Sequence, residues 1–162
     1  MKLLLLNEAH RVLKKLKKHG VNLASAESCT GGVISTALSA ASAGGAYYAS
    51  GFVTYDDTAK TVMLGVKPDS ISAYTAVSAE VVAQMAEGAC RMAKTQVALA
   101  VSGYAGPDGG KDGTPAGTIW FAWYLGEGRT SVEKQHFEGS PESVVYQAAH
   151  FSLSRLVTLL ND

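Results

Sequence analysis

Cysteine is scarce. The 162 residues include two, Cys29 and Cys90, and they form no CxxC pair. A chain of this size with two cysteines is no disulfide scaffold, so a reducing compartment is the default expectation. An excess of one charge is also missing. Lys+Arg and Asp+Glu both number 14, for a formal net charge of zero, which argues against a general nucleic-acid binder, whose affinity rests on surplus positive charge. Long apolar runs are absent too. The start, MKLLLLNEAH, has four leucines before it turns polar. That is short of the roughly 7–15 apolar residues of a secretory core, and nothing approaches the ~18 of a membrane span. The expectation is a cytoplasmic chain with no signal peptide and no membrane or nucleic-acid partner.

Several familiar chemistries lack their signatures. His10, His19, His136 and His150 have no metal-ligand spacing and neither cysteine joins them, so no metal is expected. There is no G-x-G-x-x-G and no G-x-S-x-G. The loop Gly109–Gly117 is rich in glycine, but Asp112 follows Lys111 where a phosphate loop needs Ser or Thr, and no strand-loop-helix context surrounds it.

What is present is ordinary globular material. The chain is 47% hydrophobic and 17% charged, enough for a real core, and its length suits one domain over residues 1–162. Leu5, Ala9, Val12, Leu13 and Leu16 recur at helical spacing, which predicts a helix over 3–18 ending at Gly20. The lysines crowding its second half read as a solvated face that complements the helix dipole. Val21–Ala26 reads as a strand, 32–41 as a helix, Gly44-Gly45 as a break and Tyr47–Tyr55 as a strand. Asp56 or Asp57 caps a short helix closed by Gly65, and Lys67-Pro68-Asp69 reads as a turn, with the segment to Val77 irregular or one helical turn. Ser78 caps a helix over Ala79–Ala93, with Val82, Met85, Ala86, Ala89 and Met92 on one face. Val97–Val101 suits a strand covered on both sides. Thr118–Tyr124 and Ser131–Phe137 read as a hairpin around Gly126-Glu127-Gly128. Ser140-Pro141-Glu142 opens a last helix with Val145, Ala149, Leu153, Leu156 and Leu160 inward. This order predicts an α/β fold, a three-layer α/β/α sandwich with a mixed sheet.

Three clusters carry chemistry. Glu27-Ser28-Cys29-Thr30-Gly31-Gly32 lies between a strand and a helix, where open α/β folds bind ligands and helix amides offer an oxyanion or anion site. The alternative is a tight turn capped by Thr30. Tyr55 and Lys60 end a strand and enter a helix. A phenol and an amine together can activate a hydroxyl if burial or repulsion lowers a pKa, although packing and solvated surface are the commoner fates of such residues. Ser102-Gly103-Tyr104-Ala105-Gly106-Pro107 follows the apolar strand and supplies a hydroxyl and backbone amides. Cys29, at a helix start, is a second candidate nucleophile.

Ala26-Glu27-Ser28-Cys29-Thr30-Gly31-Gly32, Gly51–Tyr55 with Lys60, Leu64-Gly65-Val66, Ala76-Val77-Ser78, Ser102–Pro107 and Gly117-Thr118-Ile119-Trp120 together resemble the C-terminal domain of the competence/damage-inducible protein CinA. The resemblance covers residues 4–160 and implies a stand-alone amidase domain without the N-terminal domain of long CinA proteins. It implies hydrolysis of nicotinamide mononucleotide to nicotinic acid mononucleotide and ammonia, with no cofactor. It assigns the nucleophile to Ser28 and the activating pair to Tyr55 and Lys60. Glu27, Cys29, Thr30, Gly31, Gly32, Ser102, Gly103, Ala105 and Gly106 are the expected substrate contacts. A homodimer is expected because two-fold pairing is the commonest oligomeric symmetry.

The chain departs from that family in three places. Ser102 stands where threonine is usual, and Tyr104 where a small aliphatic residue is usual. The last helix opens Gly139-Ser140-Pro141-Glu142-Ser143-Val144-Val145, without the arginines of the family's G-D-R-x-x-V/I-R pattern. These differences motivate an alternative, a non-catalytic nucleotide-binding or interaction domain with a degenerate pocket.

Overall fold

A computed structural model describes residues 2–43 and 45–160; Gly44, half of the expected break, lies outside them. The elements run α1 (Leu3–His19), β1 (Leu23–Glu27), α2 (Val33–Ala41), β2 (Tyr48–Val53), α3 (Asp57–Leu64), α4 (Pro68–Tyr74), α5 (Ala79–Ala93), β3 (Val97–Gly103), β4 (Thr118–Tyr124), β5 (Thr130–His136) and α6 (Pro141–Leu159). One mixed sheet has the order β2-β1-β3-β4-β5. β1 pairs in parallel with β2 and β3, while β3-β4 and β4-β5 are antiparallel. The three-layer sandwich is therefore present as expected.

Side-chain size divides the two faces of the sheet. Strand residues point alternately up and down. Leu23, Leu99, Val101, Phe121 and Trp123 join α1, α2 and α6 in one cluster, whereas Ala24, Ala26, Ala98, Ala100 and Ala122 meet α5 in the other. Five buried alanines form a floor that lets α5 lie close to the sheet, with Val82, Met85, Ala86 and Ala89 filling the interface and Phe52, Trp120, Tyr124 and Val132 packed around it. Ala100→Val should overpack this floor at a cost of about 1–3 kcal/mol. Thermal unfolding checks this, at roughly 2–4 °C per kcal/mol for a chain of this size.

Local differences from the expected elements have local causes. Pro68 starts α4 rather than a turn, because proline also suits the first helical position. Tyr47 has a φ of 69° and stays outside β2. On α6 the inward valine is Val144, with Val145 half-buried, and on α5 Met92 is exposed, while Cys90 and Ala93 carry the last turn's contact with the core. Ser78 and Ser140 do cap α5 and α6, accepting from the amides of Val81 and Ser143.

Candidate active site

β1 ends at Glu27, and alternation along the strand sets the direction in which that carboxylate points. Leu23, Ser25 and Glu27 face α2, so Glu27 turns away from the α5 side and is fully buried. Its two carboxylate oxygens accept from the amides of Ile34 and Ser35, each at 2.9 Å. The carboxylate thus occupies the positive end of α2. Gly31 donates to Ser28 O and Val33 to Thr30 O. The α2 amino terminus is therefore already filled, which corrects the expectation of an oxyanion or anion site there. Glu27 is an anchor for α2 rather than a substrate contact. Nearby, the Tyr48 hydroxyl donates to Ser35 Oγ at 2.9 Å and shares a 2.7 Å hydrogen bond with Ser25.

Ser28 comes next and is held by its amide, which donates to Val101 O at 3.0 Å. It lines a cavity of about 520 Å³ together with Cys29, Tyr55, Lys60, Ser102, Gly103, Tyr104, Ala105 and Gly106. Thr30, Gly31, Gly32 and Glu27 do not line it. Thr30 is buried behind the turn, and among the described residues its hydroxyl has no hydrogen-bond partner. Asp57, Ile71, Asp108 and the segment Thr75–Val77 complete the wall. Ala76 and Val77 belong to a motif of the resemblance, but none of these residues is among the expected site residues; the fold brings them to Ser28. Thr75 has a φ of 67°, a strained conformation for a β-branched residue. Its carbonyl accepts from Ser78 Oγ and its hydroxyl accepts from the Val77 amide, which fixes the segment.

Lys60 is the one fully buried lysine among the described residues, at 1% exposure. Its Nζ donates to Thr54 O at 2.8 Å and to Tyr55 O at 3.2 Å, with Asp57 Oδ1 at 3.6 Å. Burial pulls its pKa below the ordinary lysine value, and Asp57 opposes the shift. Tyr55 stands differently. Its side chain is 73% exposed at the cavity wall, and it is the Tyr55 carbonyl, not the phenol, that meets Lys60. Among the described residues the phenol makes no hydrogen bond with Ser28 or Lys60.

Burial pushes the Cys29 thiol up to about 12, outweighing the amides of Cys29 and Gly103 beside its sulfur. The thiol therefore stays protonated at neutral pH and is a poor nucleophile. The Gly103 amide lies at the cavity, and no side chain fits at that position. A Cβ there would meet Ile119 and sit 2.6 Å from Thr118 O. Ser102 donates to Ala76 O at 2.8 Å, so its proton already holds the opposite wall. Tyr104 leans over Gly110, where a Cβ would lie 2.7 Å from its ring. The start of α6 reaches the rim through Pro141, 3.6 Å from the Cβ position of Gly106, and Val145 does not line the cavity.

Comparison with known proteins finds relatives over most of the chain. Residues 6–160 match the CinA C-terminal domain. Protein YdeJ of Escherichia coli K12 is 48% identical over 140 residues, covering 86% of this chain and 81% of that protein. The nicotinamide-nucleotide amidohydrolase PncC of Enterobacter agglomerans is 46% identical over 138 residues, covering 85% and 84%. A crystal structure of a competence-damaged protein (CinA) superfamily member from E. coli superposes with a TM-score of 0.93 at 42% identity, covering 96% and 90%. The chain belongs to the CinA C-terminal domain family.

Proposed function

We propose that this chain hydrolyses the carboxamide of nicotinamide mononucleotide, releasing nicotinic acid mononucleotide and ammonia, with Ser28 as nucleophile and Lys60 as base. The observation that carries this reading is the presence of Ser28, a buried lysine and the Gly103 amide around one cavity. Relatives named nicotinamide-nucleotide amidohydrolases, 46% and 37% identical to this chain, support the substrate.

A serine hydroxyl needs a base at neutral pH, and a neutral amine can serve. With two N–H groups turned to Thr54 O and Tyr55 O, a deprotonated Lys60 keeps its lone pair for the Ser28 proton. Ser28 Oγ bonds to the carboxamide carbon as Lys60 takes that proton. The carbonyl oxygen becomes an oxyanion, to which the Gly103 amide can donate at roughly 3–4 kcal/mol per well-placed donor. Lys60 returns the proton to the departing nitrogen, ammonia leaves, and an ester on Ser28 remains. Water attacks that ester as Lys60 accepts its proton, the bond from Ser28 Oγ to the acyl carbon breaks, and Lys60 returns the proton to Ser28 Oγ as the acid is freed. Tyr55 forms part of the mouth and holds Lys60 through its backbone. Incubation with nicotinamide mononucleotide should yield ammonia and nicotinic acid mononucleotide in equal amounts, and formation of neither would remove the proposal.

The non-catalytic alternative keeps one observation in its favour, the absence of arginine from the start of α6. Calorimetry showing mononucleotide binding without turnover would favour it.

A further inference from the structure

As a base, Lys60 must be neutral, and that changes the charge of the cavity. Among the described residues that line it, the carboxylates are Asp57 and Asp108 and the one amine is Lys60. Proton loss from Lys60 therefore removes the cation and leaves two negative charges in the lining. Asp57 is the more affected. It opens α3, one turn before Lys60. Its Oδ1 lies 3.6 Å from Nζ, farther than Thr54 O at 2.8 Å and Tyr55 O at 3.2 Å. The Asp57 side chain is 58% exposed, so its carboxylate has room for a second partner.

A substrate can supply the missing charge. N-ribosylation makes the nicotinamide ring a pyridinium cation, whereas free nicotinamide is neutral. The ring nitrogen is meta to the carboxamide, so a ring whose carboxamide carbon meets Ser28 Oγ carries its positive charge inside the same cavity. Opposite charges attract more strongly there than in bulk water, and a cation nearby also disfavours the protonated form of Lys60.

We propose that Asp57 is the residue by which this chain selects a cationic pyridinium carboxamide over a neutral one, pairing with Lys60 in the empty site and with the ring in the occupied one. The inference rests on the amidase reading for the carboxamide at Ser28 and for the neutral state of Lys60. The other ionisable groups around Lys60 are Asp56 at the α3 cap and the Cys29 thiol after β1, with Tyr55, Tyr104 and Asp108 along the cavity. From α5, Arg91 meets the far end of α3 at Leu64 O. Cys29 is held protonated by burial and Asp56 does not line the cavity. Among the described residues Asp57 is the one carboxylate in ion-pair contact with Nζ.

The test separates ring charge from ring shape. Ring-N-methylated nicotinamide and meta-methylbenzamide share one outline and one carboxamide and differ in the pyridinium charge. Both are titrated into Ser28→Ala, which holds a carboxamide without turnover. Binding is read from the ε-carbon NMR resonance of Lys60 in lysine-labelled protein, assigned by its absence in Lys60→Met. The cation should bind about tenfold more tightly than the benzamide, the worth of one charge-assisted contact. Asp57→Asn in the same background should remove most of that gap and leave benzamide binding unchanged. It should also lower the pH midpoint of Lys60 in the empty site by about one unit, because a nearby opposite charge is lost; an aspartate that merely started α3 would move neither. A gap that survives Asp57→Asn, or that closes only when Asp108→Asn is added, would overturn the inference. Preference for the cation in Ser28→Ala, with no ammonia released from nicotinamide mononucleotide by the wild type, would sink the amidase reading and leave Asp57 its role. Ammonia release by the wild type, with the preference for the cation unchanged in Asp57→Asn, would do the reverse.

Discussion

Lys60→Met should lower kcat by about 10²–10⁴-fold, the usual worth of a positioned base. Methionine keeps the length of the buried side chain and removes a costly buried amine, so the protein should remain folded and the loss should be chemical. Tyr55→Phe should cost far less, because the phenol is largely exposed and touches neither Ser28 nor Lys60. The pH profile gives a second readout. The lowered pKa of Lys60 means that kcat/KM rises with pH along a limb below the ordinary lysine value of about 10.4, as the amine loses its proton. That limb should vanish in Lys60→Met. A loss in Tyr55→Phe as large as in Lys60→Met would return the base role to the phenol.

Glu27→Ala should be the most destabilising single change at the site. It leaves the amides of Ile34 and Ser35 without their charged acceptor in the interior. Bonds to a charged group are worth about 1.5–3 kcal/mol each, and an unsatisfied buried donor costs more. The expected loss is about 3 kcal/mol or more, or roughly 6–12 °C in Tm. Glu27→Gln should recover only part of it. One amide oxygen can serve one helix N–H, but its NH2 group then faces the other. Because the same turn carries Ser28, the glutamine variant should lose kcat even at temperatures where it is fully folded. A Glu27→Gln protein with wild-type Tm and wild-type kcat would contradict the anchoring role.

The site was legible in the sequence where chemistry and spacing coincide, and obscure where only the fold decides. Ser28, Lys60 and Gly103 stand out as a hydroxyl, an amine and a glycine beside strand ends, and all three reach one cavity. Ile71, Thr75 and Asp108 could not be singled out, since the packing of α4 and the glycine-rich loop delivers them. Glu27 was readable in principle. Ala24 and Ala26 share one face of β1, which leaves Leu23, Ser25 and Glu27 on the other, away from Ser28. Strand positions at the level of the fold were clear because short apolar runs such as Val97–Val101, bounded by turn residues, leave few choices. α4 was not, because Pro68 fits a turn and a helix start equally well. The expected Tyr55–Lys60 pairing illustrates the same limit: five residues apart, they are joined through a carbonyl rather than through their functional groups.

The most direct measurement is ammonia release from nicotinamide mononucleotide by the wild type, Ser28→Ala and Cys29→Ala under one condition. The wild type and Cys29→Ala should turn over at comparable rates, the thiol being held protonated by burial, while Ser28→Ala should release no ammonia above background. Turnover that survives Ser28→Ala and disappears in Cys29→Ala would contradict the account.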